Sequence, residues 1–368
     1  MIDVTEKRGE MTASSAVIEM MSAFNHEQVL FCQDEATGLK AIIAVHDTTL
    51  GPSLGGTRMW AYNNEQEALN DVLRLSRGMT YKSSLAGLNL GGGKAVIIGD
   101  SRKDKSEALF RRFGRFVNSL GGKYITAEDV GIKTRDIEHV ALETEFVAGK
   151  PEYLGGSGDP SPVTAYGVYM GMKAAAKEQY GSDDLNGKKV AVQGIGSVGE
   201  TLVDYLTKEG AIVTVTDIYE DRVKEIVNRY NVKACSPDEI YSVDMDIYAP
   251  CALGATVNDV TLEQLNCSII AGAANNQLAD EAKHGEAVRA KGIVYAPDYL
   301  VNAGGIINCY WEVIGYHREA AMNQATDIYN TTLRILKKAN AESIPTYKAA
   351  NALAEARIAA IGKIKQKF

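Results

Sequence analysis

The stretch KKVAVQGIGSVGETLVDYLTKEGAIVTVTD, residues 188–217, constrains this chain more than any other. An apolar run (Val190–Gln193) leads straight into Gly194-x-Gly196-x-x-Gly199. An amphipathic run stopping at Gly210 follows, then a second apolar run, Ile212–Thr216, ending in Asp217. Strand, glycine turn, helix and strand in that order form one βαβ unit. The first glycine permits the tight turn, the second lets a pyrophosphate approach the backbone, and the third lets helix and strand pack closely. The helix N-terminus adds unpaired N–H donors. Asp217 lies 18 residues past the last glycine, the position from which an acid reaches ribose hydroxyls. Three glycines alone can be a coincidental turn; set in this order they point to a dinucleotide. A carboxylate there repels a 2′-phosphate, which favours NAD over NADP, although Arg222 stands five residues further on.

One dinucleotide unit does not account for 368 residues, and a chain of that length is expected to form two domains. Net charge is −8, so no global electrostatic case exists for binding nucleic acid or an anionic membrane. No apolar run approaches the ~20 residues that span a bilayer. The N-terminus mixes acids and bases, and no secretory leader is expected. Five scattered cysteines (Cys32, Cys235, Cys251, Cys267, Cys309) without CxxC spacing suggest reduced thiols and a cytoplasmic location. No HExxH motif or His/Cys cluster supports a metal.

Taken in order, residues 15–24 read as a helix capped at Ser14 or Ser15, after a frayed start. EQVLFCQ and LKAIIAVHDT read as strands around the turn DEATG. GPSLGGTRMW (51–60) is glycine-rich and holds Leu54 and Arg58. EQEALNDVLRLSRGMTYKSSLAG is helical in pattern and brings Met79 and Lys82 near its end. Further helices are expected over SEALFRRFGRFVNSLGG and RDIEHVALETEFVAG, with the strand KYITAEDVG between them. The proline- and glycine-rich GKPEYLGGSGDPSP is the natural linker. A long helix starts after it, with Pro162 in its first turn. DIYAPCA, SIIAGAANNQ and GIVYAPDYLVNAGG each read as strand then loop, so Asn275, Asn276 and Asn302 fall where parallel sheets place ligands, or serve as turn and cap residues. Two helical stretches, 318–340 and 346–367, break at Ile344-Pro345. The expected domains are 1–148, rejoined by 345–368, and 149–344.

GMTYKSSLAGLNLGGGKAVIIGD (78–100) carries Lys82 and Lys94, twelve residues apart. Lys94 closes the run Gly91–Gly93 and opens the strand-like AVII. Glycines there let a ligand approach, and an ammonium held at that junction loses hydration, which lowers its pKa toward neutrality. A flexible turn with a surface lysine at the mouth of a strand is the plainer alternative. Glu128 and Asp129 emerge at the end of KYITAEDVG. One lysine can hold a substrate carboxylate, the other can activate water for attack on an iminium carbon, and an aspartate can exchange protons with the amine. With a nicotinamide-binding domain, that set meets the needs of oxidative deamination of an α-amino acid.

GPSLGGTRMW, GMTYKSSLAGLNLGGGKAVIIGD, TAEDVG, DPSPVTAYGV, VAVQGIGSVG, DIYAPCALGATVN, AGAANNQL and YAPDYLVNAGGIIN together resemble the glutamate/leucine/phenylalanine/valine dehydrogenases, and most of all the leucine-specific branch. The resemblance covers about residues 25–360. It implies an α/β protein of two domains: an N-terminal catalytic domain joined by the C-terminal helix, and a Rossmann dinucleotide-binding domain across a cleft. It implies NAD as cofactor, a homo-oligomer between dimer and octamer, and no metal. By the resemblance Lys82 binds the substrate carboxylate, Lys94 activates water and Asp129 shuttles protons. Thr164, Gly194, Gly196, Ser197, Val198, Gly199, Asp217, Ile218, Cys251, Ala252, Ala273, Asn275 and Asn302 would contact the cofactor. Leu54, Gly55, Gly56, Met79, Ala127, Asn276, Ile306 and Cys309 would line the substrate site. Glutamate-specific members have a lysine where Leu54 stands, and phenylalanine enzymes tend to have glycine where Ala127 stands. Ile306 and Cys309 replace two valines usual in the leucine type. YWEVIGYH and GSVG also depart from the usual runs. The expectation is a branched-chain L-amino acid dehydrogenase, leucine first and valine or isoleucine next. An aromatic-specific enzyme of the same mechanism, or a non-catalytic NAD-binding protein, are the alternatives.

Overall fold

The computed structural model describes residues 17–365. The frayed start and the caps expected at Ser14 or Ser15 lie outside them. The chain divides into two compact units, the first running to Gly158 and adding Glu312–Tyr316 and the residues from Ile358. The second comprises Asp159–Trp311 and His317–Arg357.

The first unit contains α1 (Val17–Phe24), β1 (Gln28–Asp34), β2 (Leu39–Asp47), β3 (Ser53–Trp60), α2 (Glu65–Leu85), β4 (Gly91–Ile98), α3 (Glu107–Ser119), β5 (Tyr124–Glu128) and α4 (Thr134–Ala141). Its sheet has the order β1-β2-β4-β3-β5. β1/β2 and β2/β4 are antiparallel, while β3 runs parallel to both β4 and β5. β2 is apolar almost throughout because both its faces are covered. Ala41, Ile43 and Val45 join a core with Phe110, Phe113 and Val117 of α3, and Ile42 and Ala44 pack with Leu69, Val72 and Leu73 of α2.

The glycines behave differently from the expectation. Gly55, Gly56 and Gly91–Gly93 are strand residues, not a flexible turn. Their missing side chains admit other parts of this chain. A Cβ on Gly92 would lie 2.1 Å from the Thr80 backbone nitrogen, and one on Gly93 would lie 2.6 Å from the Tyr124 ring. α2 therefore rests directly on the backbone of β4.

Two histidines lie under α2. His46 is buried, with Nδ1 2.8 Å from the Thr80 hydroxyl and Nε2 3.0 Å from the Phe24 carbonyl. The His26 ring meets it edge-on at 4.8 Å. Burial above all lowers both pKa values, to about 4 for His46 and about 3 for His26, where the neighbouring His46 adds to the effect. A histidine with a depressed folded pKa stabilises the fold above its unfolded value of about 6.5. That stability is lost as pH falls from there through about 4. Urea unfolding between pH 7 and 4 should show His46 contributing a slope of up to about 1.4 kcal/mol per pH unit. His46→Gln should flatten the profile in that window; an unchanged slope would contradict the assignment.

The second unit contains α5 (Ser161–Tyr180), β6 (Lys189–Gln193), α6 (Ser197–Lys208), β7 (Ile212–Thr216), α7 (Glu220–Tyr230), β8 (Lys233–Ala234), β9 (Ile247–Pro250), α8 (Asp259–Gln264), β10 (Ile269–Ile270), α9 (Glu281–Ala290), β11 (Val294–Tyr295), α10 (Asp298–Val301), α11 (Gly304–Ile314), α12 (Arg318–Glu342) and α13 (Thr346–Lys365). Its six strands are all parallel, in the order β11-β10-β9-β6-β7-β8. The order reverses between β6 and β9, the switch point at whose carboxyl ends such sheets bind ligands.

The division into units falls at Gly158/Asp159, and the end of α13, from Ile358, goes with the first unit. The Glu312 carboxylate accepts hydrogen bonds from the Gly149 and Ser157 N–H groups (3.0 and 2.9 Å) and from the Ser157 hydroxyl (2.7 Å). That ties both the linker and the end of α11 to the first unit. The start of α13 stays with the second unit because Tyr347, Ala349, Ala350 and Ala354 are buried, and the Tyr299 hydroxyl donates to Asn351 at 2.8 Å.

Candidate active site

In the first unit, strand alternation and register decide which side chains meet. β3 pairs Leu54 with Ile125, Gly56 with Ala127 and Thr57 with Glu128. It also pairs Arg58 with Val96 of β4. Lys94 shares the parity of Val96, whose side chain packs on α2, and so faces that helix. Leu54, Ala127 and Lys94 are all buried. Met79 on α2 is half-buried, its Cγ 3.3 Å from where a Cβ on Gly55 would stand. Lys82, also half-buried, occupies the last turn of the same helix.

The Lys94 ammonium lies 3.0 Å from Asp129 Oδ2 and is nearly inaccessible, at 6% of its side-chain surface. Arg58 Nε reaches the same oxygen at 3.0 Å, while its Nη1 bonds Asp71 Oδ2 at 2.9 Å. The Tyr62 hydroxyl donates to that Asp71 oxygen at 2.7 Å. Burial, aided by the Arg58 charge, drives the Lys94 pKa below the ordinary lysine value against the pull of Asp129. Burial alone would raise the Asp129 pKa, but Lys94 and Arg58 outweigh it and hold the carboxyl below its usual range. Gly56 is what lets Asp129 sit here, for a Cβ on it would lie 2.9 Å from Asp129 Cβ and 2.2 Å from the Glu128 carbonyl.

Arg58, Asp71 and Tyr62 were missed as site residues. Arg58 was visible in GPSLGGTRMW, but its partner Asp129 is 71 positions away, and only the β3–β5 pairing brings them together.

In the second unit the glycine loop takes the expected form. Gly194 has φ +94°, and its N–H donates to the Thr216 carbonyl at 2.8 Å. A Cβ on it would lie 2.5 Å from Ala252 Cβ, and Cys251 donates its N–H to Gln193 at 2.7 Å, so the 251–252 loop flanks the turn. A Cβ on Gly199 would lie 2.1 Å from the Gly194 carbonyl, the close helix–strand packing that needs glycine. At Gly196 the nearest atom to such a Cβ is Arg222 Nη1, 4.0 Å away, leaving room beside the start of α6. Ser197 there is exposed and Val198 half-buried. Asp217 accepts from the Ile195 N–H at 2.9 Å and the Tyr219 N–H at 3.1 Å, and Ile218 is exposed.

Asn302 is buried, with Nδ2 donating to the Ala273 carbonyl (3.0 Å) and to Asn275 Oδ1 (2.6 Å). Its own Oδ1 is buried without a hydrogen-bond partner in the chain. A buried amide oxygen left so costs free energy that a ligand's donor would recover. Thr164 joins this end, its hydroxyl 3.4 Å from a Cβ built on Gly305. Open space at Gly196, an acid beside the turn and an orphan acceptor at Asn302 together fit a dinucleotide. Asn276 is exposed with φ +52°, while Ile306 is buried and Cys309 half-buried on α11. Among the described residues no group of His, Cys, Asp and Glu could hold a metal ion.

The chain is similar to known proteins along nearly its whole length. Residues 26–146 match the model of the Glu/Leu/Phe/Val dehydrogenase dimerisation domain. Residues 155–220 and 218–367 match the Glutamate/Leucine/Phenylalanine/Valine dehydrogenase model. Leucine dehydrogenase of Geobacillus stearothermophilus is 56% identical over 352 residues, 96% of each chain. The crystal structure of L-tryptophan dehydrogenase from Nostoc punctiforme superposes with a TM-score of 0.85 at 46% identity, covering 94% of this chain and 99% of that one. A glutamate dehydrogenase of Thermus thermophilus, 22% identical, shares the fold at a TM-score of 0.75, covering 92% of this chain and 90% of that one. Matches along nearly the whole chain, on top of a lysine–aspartate pair and a dinucleotide turn, make this protein a member of the glutamate/leucine/phenylalanine/valine dehydrogenase family.

Proposed function

We propose that the protein catalyses the NAD-dependent, reversible oxidative deamination of branched-chain L-amino acids, with leucine ahead of valine and isoleucine. The reaction is L-leucine, water and NAD⁺ giving 4-methyl-2-oxopentanoate, ammonium, NADH and a proton. The observation that carries this reading is the buried Lys94 ammonium 3.0 Å from Asp129, with Arg58 on the same carboxylate oxygen. NAD⁺ held at this site would supply the acceptor for the hydride of the substrate's α-carbon. Gly194–Gly199 and Asp217 would hold the cofactor's pyrophosphate and ribose, and Asn302 its carboxamide.

Lys82 would pair with the substrate carboxylate. Lys94, its pKa lowered by burial, takes a proton from water as the oxygen attacks the iminium carbon. Asp129 takes a proton from the amine and returns one to the departing ammonia. Arg58 keeps Asp129 ionised and oriented, and Asp71 and Tyr62 hold Arg58 in turn.

Selectivity follows from what is buried around this pair. Leu54 offers no cation to a side-chain carboxylate, and burying one unpaired is strongly unfavourable, which disfavours glutamate. Ala127 supplies apolar surface of the size the leucine-specific branch uses. The identity to leucine dehydrogenases, 53–56% over 94–96% of the chain, supports the same choice. We infer a cytoplasmic homo-oligomer as well. The match of residues 26–146 to a dimerisation domain and five free cysteines support that part.

The test is NADH formation by purified protein with L-leucine, L-valine, L-phenylalanine and L-glutamate side by side. Leucine should lead, with valine next and glutamate near background. Phenylalanine in front would keep the mechanism and overturn the pocket assignment. No turnover with any of them despite NADH binding would return the chain to a non-catalytic role.

A further inference from the structure

Tyr124 is a wholly buried tyrosine that the catalytic groups do not use directly. It belongs to the core that β2 and β4 share with α3, on the opposite side of the sheet from α2. Its ring reaches from β5 across β3 to β4, filling the space that Gly93 leaves. Its hydroxyl donates to the Gly55 carbonyl at 2.7 Å and lies 3.4 Å from Thr126 Oγ1. Thr126 Oγ1 in turn lies 2.6 Å from Thr57 Oγ1, and both threonines are buried. Burial pushes the Tyr124 pKa up, so the hydroxyl keeps its proton and can donate it. The place where it acts is a gap in the sheet. β3 pairs Leu54 with Gly92 of β4 and next Thr57 with Ala95, skipping Gly55 and Gly56, which stay paired only with β5. At the gap the two strands press together, for a Cβ on Gly55 would lie 1.7 Å from the Gly93 carbonyl oxygen. Lys94 follows Gly93, and Gly56 packs against Asp129 with no room for a methyl between them.

We propose that Tyr124 is a positioning residue for amino acid oxidation: its hydroxyl, backed by the Thr57–Thr126 pair, holds the Gly55–Gly56 backbone where Asp129 meets Lys94. This role rests on the reading of Lys94 and Asp129 as the reacting pair. Two adjacent glycines are the most freely rotating stretch a backbone can have, and here one of their two ladders is interrupted. The Tyr124 hydroxyl replaces the missing restraint from the face opposite α2. Because Gly56 and Asp129 are in direct contact, a shift of this backbone displaces the carboxylate that Lys94 and Arg58 share. Tyr124 thus acts through β3 and not on a reactant.

The test is Tyr124→Phe in the full chain, which deletes the hydroxyl and keeps the ring against Gly93. Well below the unfolding temperature, kcat for the best amino acid substrate should fall roughly tenfold, since small misplacements of reacting groups are costly. The Kd for NADH, set in the second unit, should stay within about twofold. The limb of log(kcat/KM) that Lys94 sets should also move to lower pH. Asp129 and Asp71 favour the charged Lys94 while burial and Arg58 oppose it, so a receding Asp129 lowers its pKa further. Thr126→Val should reproduce part of the kcat loss, whereas Thr126→Ser, which keeps the hydroxyl, should stay close to wild type. A lower melting temperature with unchanged kcat and pH profile would reduce Tyr124 to a packing role and overturn the proposal. An equal loss of NADH affinity would mark a general defect and overturn it as well. If Tyr124→Phe did not fold, wild-type kcat in Thr126→Val would overturn it by itself. A wild-type protein that bound NADH but oxidised no amino acid would instead bring down the reading of the reacting pair.

Discussion

Lys94→Ala should lower kcat for amino acid oxidation by about 10³-fold or more while leaving the Kd for NADH within about twofold. The side chain lies in the first unit and the dinucleotide turn in the second, so turnover and nucleotide binding are separable readouts. Removing the ammonium does not strand Asp129, because Arg58 still holds the same oxygen at 3.0 Å. The variant should therefore fold, and a loss of turnover reports chemistry. In the wild type, log(kcat/KM) for deamination should rise with pH until Lys94 loses its proton. That limb should lie below the ordinary lysine range, since burial and Arg58 favour the neutral amine. Stopped-flow NADH formation and a fluorescence titration supply both numbers. A variant with near-normal kcat would remove Lys94 from the role of base.

Gly92→Ala should destabilise the first unit by about 3 kcal/mol, the upper end of overpacking costs. The added methyl would stand 2.1 Å from the Thr80 nitrogen and 2.4 Å from the Ser76 carbonyl, both backbone atoms of α2 that no rotamer change can move aside. The helix must shift bodily, carrying Met79 and Lys82 with it, so the KM for the amino acid should rise as well. Gly78→Ala in the same helix is the matching control. Nothing lies within 4 Å of a Cβ there, and alanine in a helix interior should stabilise by about 0.5–1 kcal/mol. Urea unfolding of the two variants should move in opposite directions. If Gly92→Ala left the midpoint unchanged, α2 could not rest on β4 as described.

The glycine strands show where reading a chain one residue at a time loses information. SLGGTRMW shows only a richness in glycine, and the Gly91–Gly93 run allows a flexible turn, because glycine weakens strands on average. In the structure they are the two central parallel strands flanking the candidate site. Their lack of side chains is offset by a helix and an aromatic ring moving into the space. Lys94 is desolvated as expected, but by α2 and its neighbours on the sheet rather than by its place at the end of a turn.

Some features could be determined from the amino-acid order alone because they are local. The turn Gly194–Gly199, its flanking strands and Asp217 lie within one 30-residue stretch. The shape of that turn follows from steric limits that act between near neighbours. The desolvation of Lys94 was one of two readings its place beside AVII allowed, whereas Asp129 read only as a carboxylate emerging into a loop. The tertiary structure alone decided the rest: that Arg58 and Asp71 complete the charge network, that α13 belongs mainly to the second unit, and that Arg222 reaches back over Gly196. Each depends on pairing between segments far apart in sequence. Burial and Coulomb energy at 3–4 Å depend on those pairings and not on spacing along the chain.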